Sequence, residues 1–126
     1  MSDLDQARAA DLLDALADVR STFDGDAWVD LFTVDAEWHD GPFGPVRRGP
    51  LELRRVLLDA FDREEQVEFT FERHWVVPPT ILAPWHASYV DRVSRRRIRS
   101  AGFSIFEVAA DGRIHIARWW EVRAPT

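Results

Sequence analysis

Apolar residues in the first part of the chain recur at helical spacing and predict an amphipathic helix over about residues 3–20. Ser2 and Asp5 at its start resemble a capping box. Asp24 or Asp26 suits the N-cap of a short second helix that carries an apolar side. The chain therefore begins with two helices.

The spacing changes to strict alternation over residues 34–40. Ala36, Trp38 and Asp40 fall on one face of the predicted strand, because alternate residues of a strand share a face. Trp38 belongs in the core, so Asp40 is expected on the same, inward side.

The remaining pattern predicts one further helix followed by a meander of strands. A loop rich in glycine and proline leads to Pro50, which suits the start of the third helix. Asp111 and Gly112 form a strong hairpin signal. The long strands are expected to begin near residue 66 and then to cover about residues 81–90, 96–108 and 114–122. Helices segregated from a mostly antiparallel sheet define an α+β fold, and one curved sheet wrapped over the helices would enclose an apolar cavity.

Composition limits the class of protein. With 126 residues, of which 46% are hydrophobic, the chain is expected to form one compact domain over residues 1–126. The absence of cysteine excludes disulfides and thiolate chemistry, and a net charge of −6 argues against general nucleic-acid binding. No apolar run approaches the length of a membrane span and no basic, apolar leader is present, so we expect a soluble, cytoplasmic protein that binds neither nucleic acid nor membrane.

Two segments resemble a known family. The stretch "DGDAWVDLFTVDAEWHDGPFGPVRRGP" and the terminal hairpin "GFSIFEVAADGRIHIARWWEV" are similar to the SnoaL-like branch of the NTF2-like superfamily, which includes ketosteroid isomerases, polyketide cyclases, limonene-epoxide hydrolase and scytalone dehydratase. The resemblance implies an NTF2-like cone, with three N-terminal helices packed in a curved, mostly antiparallel sheet. It also implies a role for Asp40, which falls on the general base of the isomerases within "DAEWHDGPFG".

Other positions depart from the isomerase pattern. The first helix carries no tyrosine, and Ser104 stands where the isomerases place a protonated aspartate. No set of positions matches the Asp-Arg-Asp relay of the epoxide hydrolase. These departures keep a non-catalytic alternative open.

Three residues are catalytic candidates, each with a structural alternative. Asp40 is expected to transfer a proton, or else to cap the turn that follows it. His86 would share that transfer if it, and not Trp85, faces inward near Pro84. Arg118 would hold a carboxylate or enolate oxygen if it faces inward, or pair with a buried acid.

Four residues are candidates for substrate binding. Trp38, Trp75 and Trp120 would line an aromatic cavity, although aromatic residues on strands also serve as plain core. Ser104 would donate a hydrogen bond to a ligand oxygen. The four histidines form no zinc motif, and we expect neither a metal nor another cofactor.

The sequence therefore favours a cofactor-independent acid–base enzyme of isomerase, dehydratase or cyclase type. Its expected ligand is a small apolar polyketide-, terpenoid- or steroid-like metabolite. The alternative is a non-catalytic module for ligand binding or dimerisation. Apolar residues expected on the outer sheet face, Phe103 and Ile105, suggest a homodimer in either case.

Overall fold

The computed structural model describes residues 4–124 and contains three helices in the N-terminal half of that range. They are α1 (Gln6–Thr22), α2 (Gly25–Asp30) and α3 (Gly49–Arg63). The side chain of Asp5 accepts the backbone N–H of Arg8 and caps α1, while Asp24, one of the two predicted candidates, caps α2. Ser2, the other residue of the predicted capping box, lies outside the described residues. No helix within residues 4–124 is long and apolar enough to cross a membrane.

Seven strands within residues 4–124 form one curved, unclosed sheet against which the helices pack. The strands are β1 (Phe32–Asp40), β2 (Val46–Arg48), β3 (Glu64–Phe71), β4 (Trp75–Val77), β5 (Thr80–Asp91), β6 (Arg97–Val108) and β7 (Ile114–Arg123). In spatial order the main path runs β2-β1-β7-β6-β5-β3, and β4 pairs with β5. Among the described strands only the β1–β7 pair is parallel, so the sheet is mostly antiparallel. The α+β cone is confirmed.

The core lies between α1 and the concave face of the sheet. Ala9, Leu13 and Leu16 form the buried stripe of α1, at spacings of four and three residues. The indole Nε1–H of Trp28 on α2 donates to the backbone carbonyl of Leu53 on α3 over 2.8 Å, which fixes these two helices together. The helices thus cover the concave face of the sheet.

Two irregularities decide which side chains enter the cone. In β7 one extra residue at His115 shifts the register against β6, so Ala117 and Trp119 face inward instead of the residues beside them. In β3 the register shifts around Gln66, whose φ of +51° lies in the left-handed region. As a result, Glu64 is buried.

Candidate active site

Asp40 lies at the end of β1 on the same inward side as Trp38, as predicted. Its Oδ1 accepts the indole Nε1–H of Trp38 over 2.8 Å. Its Oδ2 has no hydrogen-bond partner and the side chain forms no ion pair within residues 4–124. The carboxylate is partly buried and retains one oxygen for a ligand.

A cavity of about 100 Å³ lies beside Asp40 at the open end of the cone. It combines tryptophan rings with charged side chains from α1, α3, β3 and β7. Ligand pockets for drug-sized molecules usually occupy about 300–1,000 Å³, so this cavity suits only a compact molecule or one end of a larger one. Its lining residues are Arg20, Trp28, Trp38, Asp40, Arg47, Val56, Leu57, Asp59, Ala60, Arg63, Glu64, Trp119 and Glu121.

Stacked aromatic rings fill the cone behind this cavity. The Trp119 ring lies 4.8 Å from that of Trp85 and 5.8 Å from that of Phe69, with interplanar angles of 20° and 21°. The ring of Trp38 lies 5.2 Å from Trp119 on the side of Asp40. Aromatic side chains therefore occupy much of the cone behind the cavity.

A buried ion pair forms another wall of the cavity. Arg20 Nη2 donates to both carboxylate oxygens of Glu64, at 2.8 and 3.2 Å. The side chain of Glu64 is 3% exposed and that of Arg20 is 18% exposed. Arg20 Nη1 is also buried and has no acceptor among residues 4–124. The Arg20 side chain also lines the cavity beside Asp40.

Further charged groups surround the opening. Arg47 Nη1 donates to the carboxylate of Asp59 over 2.9 Å, and Glu121 accepts from Arg123 Nε over 3.3 Å. Close by, burial raises the pKa of the Tyr89 hydroxyl, with the charges of Glu121 and Glu64 adding to the increase. The opening therefore presents both signs of charge, unlike the apolar cavity expected from the sequence.

His86 lies outside the cone, so its expected place in the pocket is wrong. Regular pairing between β5 and β6 continues through Pro84, which keeps Trp85 inward and turns His86 outward. The His86 side chain is 55% exposed, and its Nδ1 lies 2.9 Å from Glu72 Oε1.

Arg118 and Trp120 also point away from the cavity, because the extra residue in β7 at His115 changes which side chains face inward. Arg118 Nη1 donates to Glu107 over 3.1 Å, with both side chains partly exposed. Trp120 is the cross-strand partner of Phe103 on the outer face of the sheet. The prediction that these two residues face inward is wrong because it assumed uninterrupted alternation from Ile114.

Trp75 and Ser104 do not line the cavity either. The extended segment is interrupted between β3 and β4, so Trp75 lies on the outside and is 42% exposed. The guanidinium carbon of Arg73 lies 5.4 Å from its ring centroid. Ser104 faces inward and is fully buried, but its hydroxyl donates to the carbonyl of Ala83 over 2.8 Å. Its hydrogen is therefore committed to the backbone.

Sequence reasoning missed Arg20, Glu64 and Trp119. Arg20 carried a usable signal, since it continues the apolar stripe of α1 four residues after Leu16. Glu64 and Trp119 depend on strand bulges, which alternation alone does not show. Within residues 4–124, no three histidine or carboxylate side chains lie close enough together to hold a metal ion.

A larger groove of about 530 Å³ lies on the outer face of the sheet, away from Asp40. Glu68, Thr70, His86, Ser88 and Arg99 are among the residues that line it. It contains none of the residues of the cavity beside Asp40, so these two concave surfaces are separate.

The chain belongs to the SnoaL-like domain family, whose model matches residues 10–117. With the cone-shaped fold described above, this places it among the NTF2-like proteins and confirms the resemblance found in the sequence. No curated protein matches the chain significantly.

Solved structures share the fold at low sequence identity. The epoxide hydrolase/cyclase-like enzyme SalBIII, which acts in pyran ring formation in the polyether salinomycin, has a TM-score of 0.82 at 17% identity and covers 94% of this chain and 93% of its own. An LEH-like epoxide hydrolase from M. tuberculosis has a TM-score of 0.74 at 18% identity, covering 92% and 84%. A protein from Catenulispora acidiphila with a ketosteroid isomerase-like fold, in complex with trimethylamine, has a TM-score of 0.78 at 12% identity, covering 86% and 82%.

Proposed function

We propose that the protein is a cofactor-independent acid–base enzyme in which Asp40 transfers a proton to or from a small carbonyl or hydroxyl compound. The observation that carries this proposal is the position of Asp40, which lines a cavity and whose Oδ1 accepts from Trp38 while Oδ2 has no partner among residues 4–124. A positioned carboxylate in reach of a bound ligand is the basic requirement of general acid–base catalysis.

The substrate of this proposal is smaller and more polar than a steroid. The cavity holds about 100 Å³, and arginine and carboxylate side chains share its wall with the tryptophans. A compact ketone, enone or hydroxy compound fits these limits, as does the reactive end of a longer polyketide- or terpenoid-like molecule. Proton transfer next to the oxygen would lead to isomerisation, dehydration or cyclisation.

A deuterium-exchange screen tests the proposal without knowledge of the substrate. Small ketones, enones and 2-oxo acids are incubated with the protein in D₂O, and exchange of the protons beside the carbonyl is followed by NMR. We expect the wild type to accelerate exchange of at least one compound, and Asp40→Asn to lose that acceleration. Asp14→Asn, which changes an exposed aspartate on α1, is the matched control.

The aromatic stack favours a second function, that of a small-ligand-binding module without chemistry. The rings of Phe69, Trp85 and Trp119 leave little of the cone open. Trp28, Trp38 and Trp119 beside carboxylates would suit a small alkylammonium ion, like the trimethylamine bound by the Catenulispora protein. Saturable binding of trimethylammonium together with no exchange in the D₂O screen would favour this function over the enzyme.

The outer face of the sheet is the proposed contact for a second copy of the chain. Phe103 and Val122 are exposed there, and the groove beside them carries both Glu68 and Arg99. Opposite charges on one patch suit a two-fold contact, in which each residue meets its complement on the partner. Sedimentation should give a dimer for the wild type and a monomer for Val122→Arg, whereas a monomeric wild type would contradict the contact.

A further inference from the structure

The groove of about 530 Å³ on the outer face of the sheet is lined by polar side chains from three neighbouring strands. Glu68 on β3 is the register partner of Ser88 on β5, and Ser88 is the partner of Arg99 on β6. Directly opposite residues of antiparallel strands have Cβ atoms about 4.5–5.5 Å apart, so these three side chains form one row. Arg99 and Glu68 are exposed, and neither forms an ion pair within residues 4–124. The row therefore presents an accessible, unpaired arginine to the groove.

A second arginine adds positive charge to this row. Arg97 lies two residues before Arg99 on β6 and therefore on the same face. Its Nη1 donates to the hydroxyl oxygen of Ser88 over 3.2 Å, and its Nη2 donates to the side-chain carbonyl of Gln66 over 3.1 Å. Both acceptors are neutral, so the charge of Arg97 is not compensated by a carboxylate. Because Ser88 accepts in this contact, its own hydroxyl hydrogen remains available to a ligand beside Arg99.

The charges along the row favour a ligand with a single negative charge. Arg97 and Arg99 are opposed there by one carboxylate, that of Glu68. Glu72, the next carboxylate on this face of β3, does not line the groove, and its Oε1 lies 2.9 Å from His86 Nδ1. A carboxylate matches one excess positive charge, whereas a phosphate monoester carries a charge of about −1.5 to −2 at neutral pH.

Small apolar side chains line the groove next to the row. Ala101 lies two residues after Arg99 on the same face of β6, and its cross-strand partner on β7 is Val122. Both are exposed, and Ala124 continues the same lining. A ligand body that covers these side chains removes apolar surface from water, which favours binding. The groove thus joins a carboxylate-binding end to an apolar surface.

We propose that the outer groove is a ligand site, separate from that of Asp40, for a small carboxylate with an apolar body. The guanidinium of Arg99 and the hydroxyl of Ser88 bind the carboxylate, and the body lies against Ala101 and Val122. This site does not rest on the proposed function. The contact proposed above between two copies uses the same face, so the ligand and a second copy compete for it.

The test is an NMR titration of the ¹⁵N-labelled protein with sodium benzoate at constant ionic strength. We expect saturable shifts of the backbone amides of Ser88, Arg99 and Ala101. Benzamide has the ring without the charge and acetate has the charge without the ring, so each should bind at least about tenfold more weakly than benzoate.

Three results of this titration would overturn the proposal. One is the absence of a saturable benzoate shift at these amides, which would leave the groove to a second copy of the chain. Another is a set of shifts confined to the indole signals of the tryptophans beside Asp40. The last is equal affinity for benzoate and benzamide.

A matched pair of variants separates the row from general charge effects. Arg99→Gln should weaken benzoate binding about tenfold or more, because a charge-assisted hydrogen bond is lost. Arg99 is exposed and its side chain has no partner among residues 4–124, so this variant should fold, which circular dichroism checks. Arg96→Gln removes an exposed arginine that does not line the groove, and it should leave the affinity unchanged. Equal affinities in Arg99→Gln and wild type, or equal losses in both variants, would overturn the proposal.

A second comparison separates this site from the proposed enzyme. Benzoate binding is expected to persist in Asp40→Asn, and Asp40-dependent exchange is expected to persist in Arg99→Gln. Benzoate binding without Asp40-dependent exchange would overturn the enzyme and leave the outer site. Loss of benzoate binding in a folded Asp40→Asn variant would overturn the outer site.

Discussion

The indole N–H of Trp38 holds the carboxylate of Asp40, two residues further along β1, through a hydrogen bond of 2.8 Å. The pair is local, because alternate residues of one strand share a face. It fixes Oδ1 and leaves Oδ2 for a ligand. The strand itself thus supplies both the candidate proton-transfer group and the residue that positions it.

Removal of this hydrogen bond should reduce activity more than stability. Trp38→Phe keeps an aromatic ring in the core but frees Oδ1, and we expect the Asp40-dependent exchange rate to fall about tenfold, the effect of roughly 1.4 kcal/mol. Trp28→Phe is the matched control, since it also removes one indole hydrogen bond in the wall of the same cavity, but one donated to Leu53 and not to Asp40. Equal loss of activity in both variants, each corrected for the folded fraction, would argue against a positioning role for Trp38.

Trp119 should control the size of ligand that the cone accepts. Trp119→Leu removes the ring that stacks on Trp85 and Phe69, so we expect a larger cavity at a cost of about 2–4 kcal/mol in the free energy of unfolding. Urea denaturation measures that cost, and binding of a bicyclic ketone measures the new space. Trp75→Leu, at an exposed position outside the cone, should change the free energy of unfolding by less than about 1 kcal/mol and bind no such ketone. Unchanged ligand size in Trp119→Leu would contradict the account of the filled cone.

Tyr89 should titrate at an unusually high pH. Burial raises the pKa of its hydroxyl, and because Tyr89 is the only tyrosine, tyrosinate absorbance reports this group alone. We expect a midpoint above the ordinary value of about 10 while the protein remains folded. The pKa of Tyr89 is higher in the folded than in the unfolded protein. Its contribution to the free energy of unfolding is therefore fully present below a pH of about 10 and is lost as the pH rises through the pKa of the folded state.

Tyr89→Phe provides the control for this titration. It should abolish the absorbance change and remove this part of the alkaline loss of stability. A wild-type midpoint at or below the ordinary value, with folding verified by circular dichroism, would show that the hydroxyl is not buried as described.

The sequence predicted the elements well because each is marked locally. Helix caps such as Asp24 and the alternation around Trp38 need only nearby residues, and both predictions were confirmed. The position of Asp40 followed from the same alternation, uninterrupted from Ala36 to the end of β1.

The rest of the site depends on relations that a local pattern does not contain. One extra residue at His115 turns Trp119 inward and Arg118 outward, and a similar shift buries Glu64. His86 was placed by pairing with β6, which outweighs any local preference near Pro84. The contact between Arg20 and Glu64 joins residues 44 positions apart, so only the fold brings it into the cavity with Asp40.

The most direct test of the central claim is the ratio of exchange rates between wild type and Asp40→Asn, measured in D₂O for the compound that exchanges fastest. Asn keeps an acceptor for Trp38, so the variant should fold like the wild type and lose only the proton-transfer group. We predict a ratio of about 10² or more, within the range that a positioned acid–base group contributes. A ratio near one, with both proteins folded, would contradict the assignment of Asp40 as the acid–base residue.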